Sequence, residues 1–154
     1  MVRVLVSDLG KVLLPFDTER VWSALEPHWG IPHPEARRAV QSLFGETRYG
    51  AGGVDGRTFH RLLTERTGLR LSFDAFAQAW SDMFWVDETV TRLVHGAPVA
   101  SRYLLSNTND LHWEFIQRHF EPVLRGFDRL FASHLLGLEK PDPAIYRHVV
   151  EAGG

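Results

Sequence analysis

The sequence predicts an α/β fold, a parallel sheet with a block of helices inserted after its first strand. Three observations carry this. Short apolar runs that read as buried strands occur at residues 2–6, 103–107 and 130–133. Helical periodicities alternate with them, as a parallel sheet with crossover connections requires. The interval from 16 to 95 is nearly all helical pattern and far longer than a crossover needs, so a helical subdomain is expected there.

Residues 2–6, Val-Arg-Val-Leu-Val, are short and β-branched, and Ser7-Asp8-Leu9-Gly10 reads as their exit turn. Thr18 suits the N-cap of a helix over 18–26, with Val21, Trp22 and Leu25 on one face. Pro27, Pro32 and Pro34 interrupt the pattern, and Pro34 fits the first turn of a helix that lasts until Gly45. Residues 50–56 are glycine-rich. Asp55 takes the third glycine's place in Gly-x-Gly-x-x-Gly, and no Lys-Ser/Thr follows, so a flexible cap loop is expected rather than a phosphate cradle. Phe59, Leu62 and Leu63 mark a helix closed by Gly68. Ser72 caps the next, which carries Phe73, Phe76, Ala77, Trp80 and Phe84, and a short helix covers 87–94. After Pro98 come the second strand, a helix over 109–120, the third strand, and a final helix over 142–152.

Composition narrows the function. The chain has 154 residues, 44% hydrophobic and 23% charged, with a formal net charge of −2, which suits one soluble globular domain. Mixed charge offers no basic surface for nucleic acid or anionic membrane. No apolar run is long enough to span a bilayer. There is no cysteine, which excludes disulfides and thiolate chemistry and fits a cytoplasmic protein.

Three short segments carry candidate chemistry. Asp8 closes the first strand, at the edge where open α/β sheets bind ligands. Ser106-Asn107-Thr108-Asn109 closes the second, offering hydroxyl, amide and backbone donors. Lys140 lies in the loop that opens the last helix. Of 17 basic residues only Lys11 and Lys140 are lysines, which singles the position out. Each segment alone has a plain structural reading, as a turn residue, a helix cap or a solvated lysine. Together they put a carboxylate, a hydroxyl and a cation at one sheet edge, the makings of a phosphoryl-transfer site.

At these three segments the chain resembles the haloacid dehalogenase (HAD) superfamily. Val4-Leu-Val-Ser-Asp8-Leu-Gly-Lys-Val-Leu13 is similar to its first motif, Leu104-Leu-Ser106-Asn-Thr to its second, and Gly137-Leu-Glu-Lys140-Pro-Asp-Pro-Ala-Ile-Tyr146 to its third. The subgroup resembled contains bacterial α-D-glucose-1-phosphate phosphatase, through Asp-Leu-Gly, Leu-Ser-Asn-Thr-Asn and Lys-Pro. The resemblance implies a HAD-like Rossmannoid parallel sheet over 1–15 and 96–154, with a helical cap over 16–95. It implies Asp8 as aspartyl nucleophile, Lys140 as charge-stabilising catalytic lysine, Ser106 and Asn107 as substrate-binding groups, and Mg²⁺ held by Asp8 and the Gly10 carbonyl. The implied substrate is a small-metabolite phosphate monoester such as a sugar phosphate.

The chain departs from the family pattern twice. Gly10 stands where most family phosphatases carry a second, acid–base Asp. The acidic fourth motif and the strand bearing it do not appear before Gly154, so the sheet is expected to be C-terminally incomplete. That predicts weak Mg²⁺ binding. It also exposes the edge of the first strand, through which the chain is expected to form a homo-oligomer or aggregate. The rival readings are a dehalogenase-type hydrolase, which in the family carries Tyr at the position of Gly10, and a truncated, inactive HAD-like binding domain. The eight histidines show no His-x-x-x-His zinc spacing. Glu46, Arg48 and Tyr49 are further candidates to face the site from the cap.

Overall fold

In the computed structural model, which describes residues 3–153, three strands form one parallel sheet in the order β1–β2–β3. β1 is Val4–Ser7, β2 is Ser101–Ser106 and β3 is Arg129–Ala132. The register pairs Ser7 with Leu104 and Ser106 with Ala132. The strands are parallel, so their carboxyl ends share one edge. β2, in the middle, is buried from Tyr103 to Ser106, and its side chains alternate between the two faces. Leu104 joins Leu9, Leu14, Trp113 and Ile116 on one face, while Tyr103 and Leu105 join Phe131, Ile145 and Val149 on the other.

Five helices stand between β1 and β2: α1 (Thr18–Leu25), α2 (His33–Glu46), α3 (Gly56–Thr67), α4 (Phe73–Ser81) and α5 (Glu88–His95). α6 (Asp110–His119) and α7 (Glu121–Leu124) join β2 to β3, and α8 (Ser133–Leu136) and α9 (Pro143–Gly153) follow. α1 to α4 share a separate apolar core around Leu25, Leu43, Tyr49, Phe59, Phe76 and Trp80. Val90 and Val94 of α5 instead pack on the sheet-face cluster. Among the described residues no helix is long and apolar enough to cross a membrane.

The caps follow the sequence closely. Ser72, Asp87 and Asn109 each accept a backbone N–H of the helix they precede, worth about 1 kcal/mol apiece. The first cap differs from expectation. Asp17, not Thr18, accepts from Glu19 N, and Thr18 is the first helical residue. Phe84 also differs, since α4 stops at Ser81. Residues 13–17 and 83–87 run alongside each other: Asp17 N donates to the Met83 carbonyl, Trp85 N to Pro15 and Asp87 N to Leu13. Phe16 and Phe84 form an antiparallel bridge, their rings edge-to-face at 5.7 Å. An aromatic at helical spacing cannot be told from one in such a neck by periodicity alone.

β1 lies at the edge of the sheet, and Val6 is 46% exposed. Residue 2, expected to begin this strand, lies outside the described residues. Val6, Tyr146 and Val150 border an open apolar groove along the edge.

Candidate active site

Asp8 follows the last residue of β1. Leu9 N donates to its Oδ1 at 2.7 Å, which fixes the carboxylate at the strand end. Lys140 Nζ lies 2.7 Å from its Oδ2 and also donates to the Leu105 carbonyl at 3.0 Å. The carboxylate is 43% exposed and the lysine side chain 20%, so the pair is enclosed on one side and open on the other. A half-screened charge pair of this kind orients both groups more than it stabilises the fold.

Asn107 explains why a loop lysine stands so close. Its Oδ1 accepts from Lys140 N and its Nδ2 donates to the Lys140 carbonyl, both at 2.8 Å. This two-point clamp ties the β2 exit loop to the loop before α9. Asn107 thus uses both ends of its side-chain amide to hold the Lys140 backbone. Ser106 is buried at the end of β2, with its hydroxyl only 3.4 Å from the Asn107 carbonyl, a weak bond that leaves it available. Gly10 sits in a tight turn in which Leu13 N and Leu14 N both donate to the Leu9 carbonyl. A Cβ at Gly10 would stand 3.1 Å from the Phe16 ring, so the aromatic neck closes directly on the turn.

A cavity of about 380 Å³ opens between this sheet edge and the α1–α4 layer. Gly10, Ser106 and Asn107 form its floor, and Phe16, Phe44, Met83 and Phe84 its apolar wall. Gly10, Ser106 and Asn107 thus line this cavity, while the Asp8–Lys140 pair lines the neighbouring groove along the β1 edge and is tied to the cavity floor through the Asn107 clamp.

Other candidates fall elsewhere. Glu46 turns outward to Arg66 and Ser42, whose bonds lower its pKa to about 2. Tyr49 is wholly buried and donates to Asp110 Oδ1 at 2.7 Å. Burial, then Asp110, push its phenol well above the usual range, so it stays a donor. Arg48 is exposed and reaches the Gly137 carbonyl at 3.3 Å. Residues 50–56 are not a free loop. Ser133, buried behind β3, donates to the Gly50 carbonyl at 2.6 Å and accepts from Thr108 N at 2.9 Å.

Three residues were missed by sequence reasoning. Asp110 accepts from Tyr49 and from Gly56 N (2.6 Å), so it pins the helical layer to α6. In sequence it reads as one more first-turn acid. Ser133 reads as the end of a strand. Glu139 lines the cavity beside Gly50, and its sequence signal is only its place before Lys140. His112 lines the cavity too. Burial lowers its pKa to about 4. Its Nδ1 is 3.1 Å from Asn109 Nδ2 and its Nε2 3.0 Å from the Trp80 carbonyl. A neutral ring with the proton on Nε2 satisfies both contacts.

The fold is shared with solved structures. A HAD family enzyme from Bacteroides thetaiotaomicron, in its magnesium complex, superposes with a TM-score of 0.84 at 25% identity, over 100% of this chain and 78% of that one. The chain has the haloacid dehalogenase fold. A HAD-like hydrolase from Porphyromonas gingivalis matches the HAD fold here with a TM-score of 0.81 at 23% identity, over 99% and 76% of the two chains. The L-2-haloacid dehalogenase of Xanthobacter autotrophicus matches at 0.61 and 20% identity, over 98% and 64%. No protein-family model matches the chain.

Among the described residues no group of three His, Asp or Glu side chains could hold a metal. The site offers one partly exposed carboxylate, Asp8, and the backbone oxygen of Gly10. A hard cation such as Mg²⁺ can be held by one or two carboxylates when waters and a substrate phosphate complete its shell. The donors are of the right kind, and few.

Proposed function

We propose that this protein is a HAD-like phosphatase that hydrolyses a small phosphate monoester through an aspartyl-phosphate on Asp8. The observation that carries the proposal is the Asp8–Lys140 pair at 2.7 Å, beside the buried Ser106 at the carboxyl edge of a parallel sheet. Lys140 orients Asp8, and its ammonium also serves the phosphate oxygens. Asp8 attacks phosphorus, the P–O bond to the alcohol breaks, and the alkoxide takes a proton from water. Water then attacks phosphorus, releasing inorganic phosphate and restoring the carboxylate. The Ser106 hydroxyl donates to the transferring oxygens, and Asn107 holds Lys140 in reach. Mg²⁺, held by Asp8 and the Gly10 carbonyl, would supply charge neutralisation on the phosphate. The α1–α4 layer excludes water from the cavity, while α5 belongs with the sheet by its packing.

The dehalogenase reading has its own support. The dehalogenase from X. autotrophicus shares the fold, the described residues show no three-ligand metal cluster, and the cavity that begins at Leu9 and Gly10, next to Asp8 in the chain, has an apolar wall. The two readings separate cleanly. Hydrolysis of p-nitrophenyl phosphate that requires Mg²⁺ supports the phosphatase. Chloride release from 2-chloropropionate without metal overturns it.

The open β1 edge supports self-association through that strand. A monodisperse monomer in sedimentation would contradict it. The absence of cysteine supports a cytoplasmic setting.

A further inference from the structure

The polar groups lining the cavity are mostly spent. Asn107 uses both ends of its amide on Lys140. Asn109 uses its Oδ1 on His112 N and its Nδ2 on the His112 ring, and that ring's other nitrogen faces the Trp80 carbonyl. Thr108 is buried, its hydroxyl 3.4 Å from the Asn109 carbonyl. A polyhydroxylated leaving group would bring hydroxyls into this space with few partners, and each unpaired one costs about 1–3 kcal/mol.

Glu139 is different. Its carboxylate lines the cavity, partly buried, with no hydrogen-bond or ion-pair partner among the described residues. It lies so close to Gly50 that a Cβ there would collide with its Oε1. The remaining walls are Phe16, Phe44, Phe84 and Met83. The nearby cations, Lys11 against the Phe16 ring and Arg48 on the Gly137 carbonyl, are exposed and outside the lining. A lone carboxylate among aromatic rings suits a cation, which gains from the charge and from the ring faces.

We propose that the leaving group is a ring-sized apolar alcohol carrying a protonated amine, the ring held by Phe16, Phe44 and Phe84 and the amine by Glu139. This deepens the phosphatase reading and rests on it. An aryl oxygen also suits the site chemically. His112, with both ring nitrogens engaged, is not placed to protonate a leaving group, and a phenol, with a pKa near ~10, departs without that help more readily than an alkanol.

The test compares tyramine phosphate, its neutral near-isostere para-ethylphenyl phosphate, and α-D-glucose 1-phosphate, with the intact chain and Glu139→Gln. The expected result is a preference for tyramine phosphate over the ethylphenyl ester of about ten-fold in kcat/KM. Glu139→Gln should erase that preference and leave the ethylphenyl ester unaffected, with glucose 1-phosphate below both. Three results would overturn the proposal: glucose 1-phosphate as the best substrate, an unchanged preference in the variant, or an equal slowing of both aryl esters, which would put Glu139 in the chemistry instead. Calorimetric binding of the same esters to Asp8→Asn separates the two claims. Selective binding without hydrolysis by the intact chain defeats only the phosphatase reading. Equal binding of all three defeats the leaving-group proposal.

Discussion

The two walls of the cavity are built by opposite rules. The sheet-edge wall is polar, made of residues next to one another in short strings, and fixed by backbone hydrogen bonds. Asp8 is held by its neighbour's N–H, and Asn107 and Lys140 hold each other through main-chain groups. The helical wall is apolar and is assembled from distant positions, Phe16, Phe44 and Phe84, held by ring packing. On the proposed reading, one wall does chemistry that a few contiguous residues can specify. The other selects, and its selectivity exists only after the layer has folded against the sheet.

If that division holds, damage to the first wall should strike turnover and damage to the second should strike assembly. The largest effect is expected from Asp8→Asn, with a fall in kcat of at least about 10⁴-fold in steady-state assays, since a lost nucleophile removes the whole covalent route. Lys140→Met comes next, at about 10²–10³-fold in kcat with a smaller change in KM, because it removes transition-state charge stabilisation. A pure KM effect would make Lys140 a binding group only. Asp110→Ala crosses to the other wall. It leaves Tyr49 and Gly56 N without their buried acceptor, so urea unfolding should show a loss of about 3 kcal/mol. A variant as stable as the parent would mean that the layer does not depend on this anchor.

The smallest effect concerns pH. His112 is neutral in the fold, where burial lowers its pKa to about 4 from the ordinary 6.5 of a histidine. The unfolded chain therefore binds the proton first. The stability that neutral His112 contributes is whole above about pH 6.5 and is lost as pH falls toward 4. His112→Gln should flatten the stability–pH curve in that window, relative to the parent, by up to about 3 kcal/mol. Parallel curves would remove His112 from the account.

The same division sets what was legible in the sequence. The parallel sheet and the placing of Asp8 and Ser106 at strand ends follow from strings that keep their meaning locally: a β-branched run, a polar exit, a capped helix. The caps are local too: Ser72 reads as a cap and Asn109 as part of a capping cluster, while Asp87 reads only as the start of a helix. What escaped was non-local. Phe84 looked helical because the pairing of residues 83–87 with 13–17 leaves no periodic mark. Asp110 and Ser133 each acquire meaning from a partner in the helical layer, and Glu139 from its place against Gly50 in the cavity, all far away in sequence. The glycine-rich stretch looked mobile for the same reason, since its anchor on Ser133 lies 83 residues further along the chain.

The central claim is that Asp8 becomes phosphorylated. It is tested most directly by mixing the protein with Mg²⁺ and a phosphate monoester that it turns over, quenching with borohydride, and mapping the peptide that carries residue 8. Reduction of an aspartyl-phosphate leaves homoserine, and the account predicts homoserine at position 8 and nowhere else. Phosphate release with an unmodified aspartate at position 8 would contradict it.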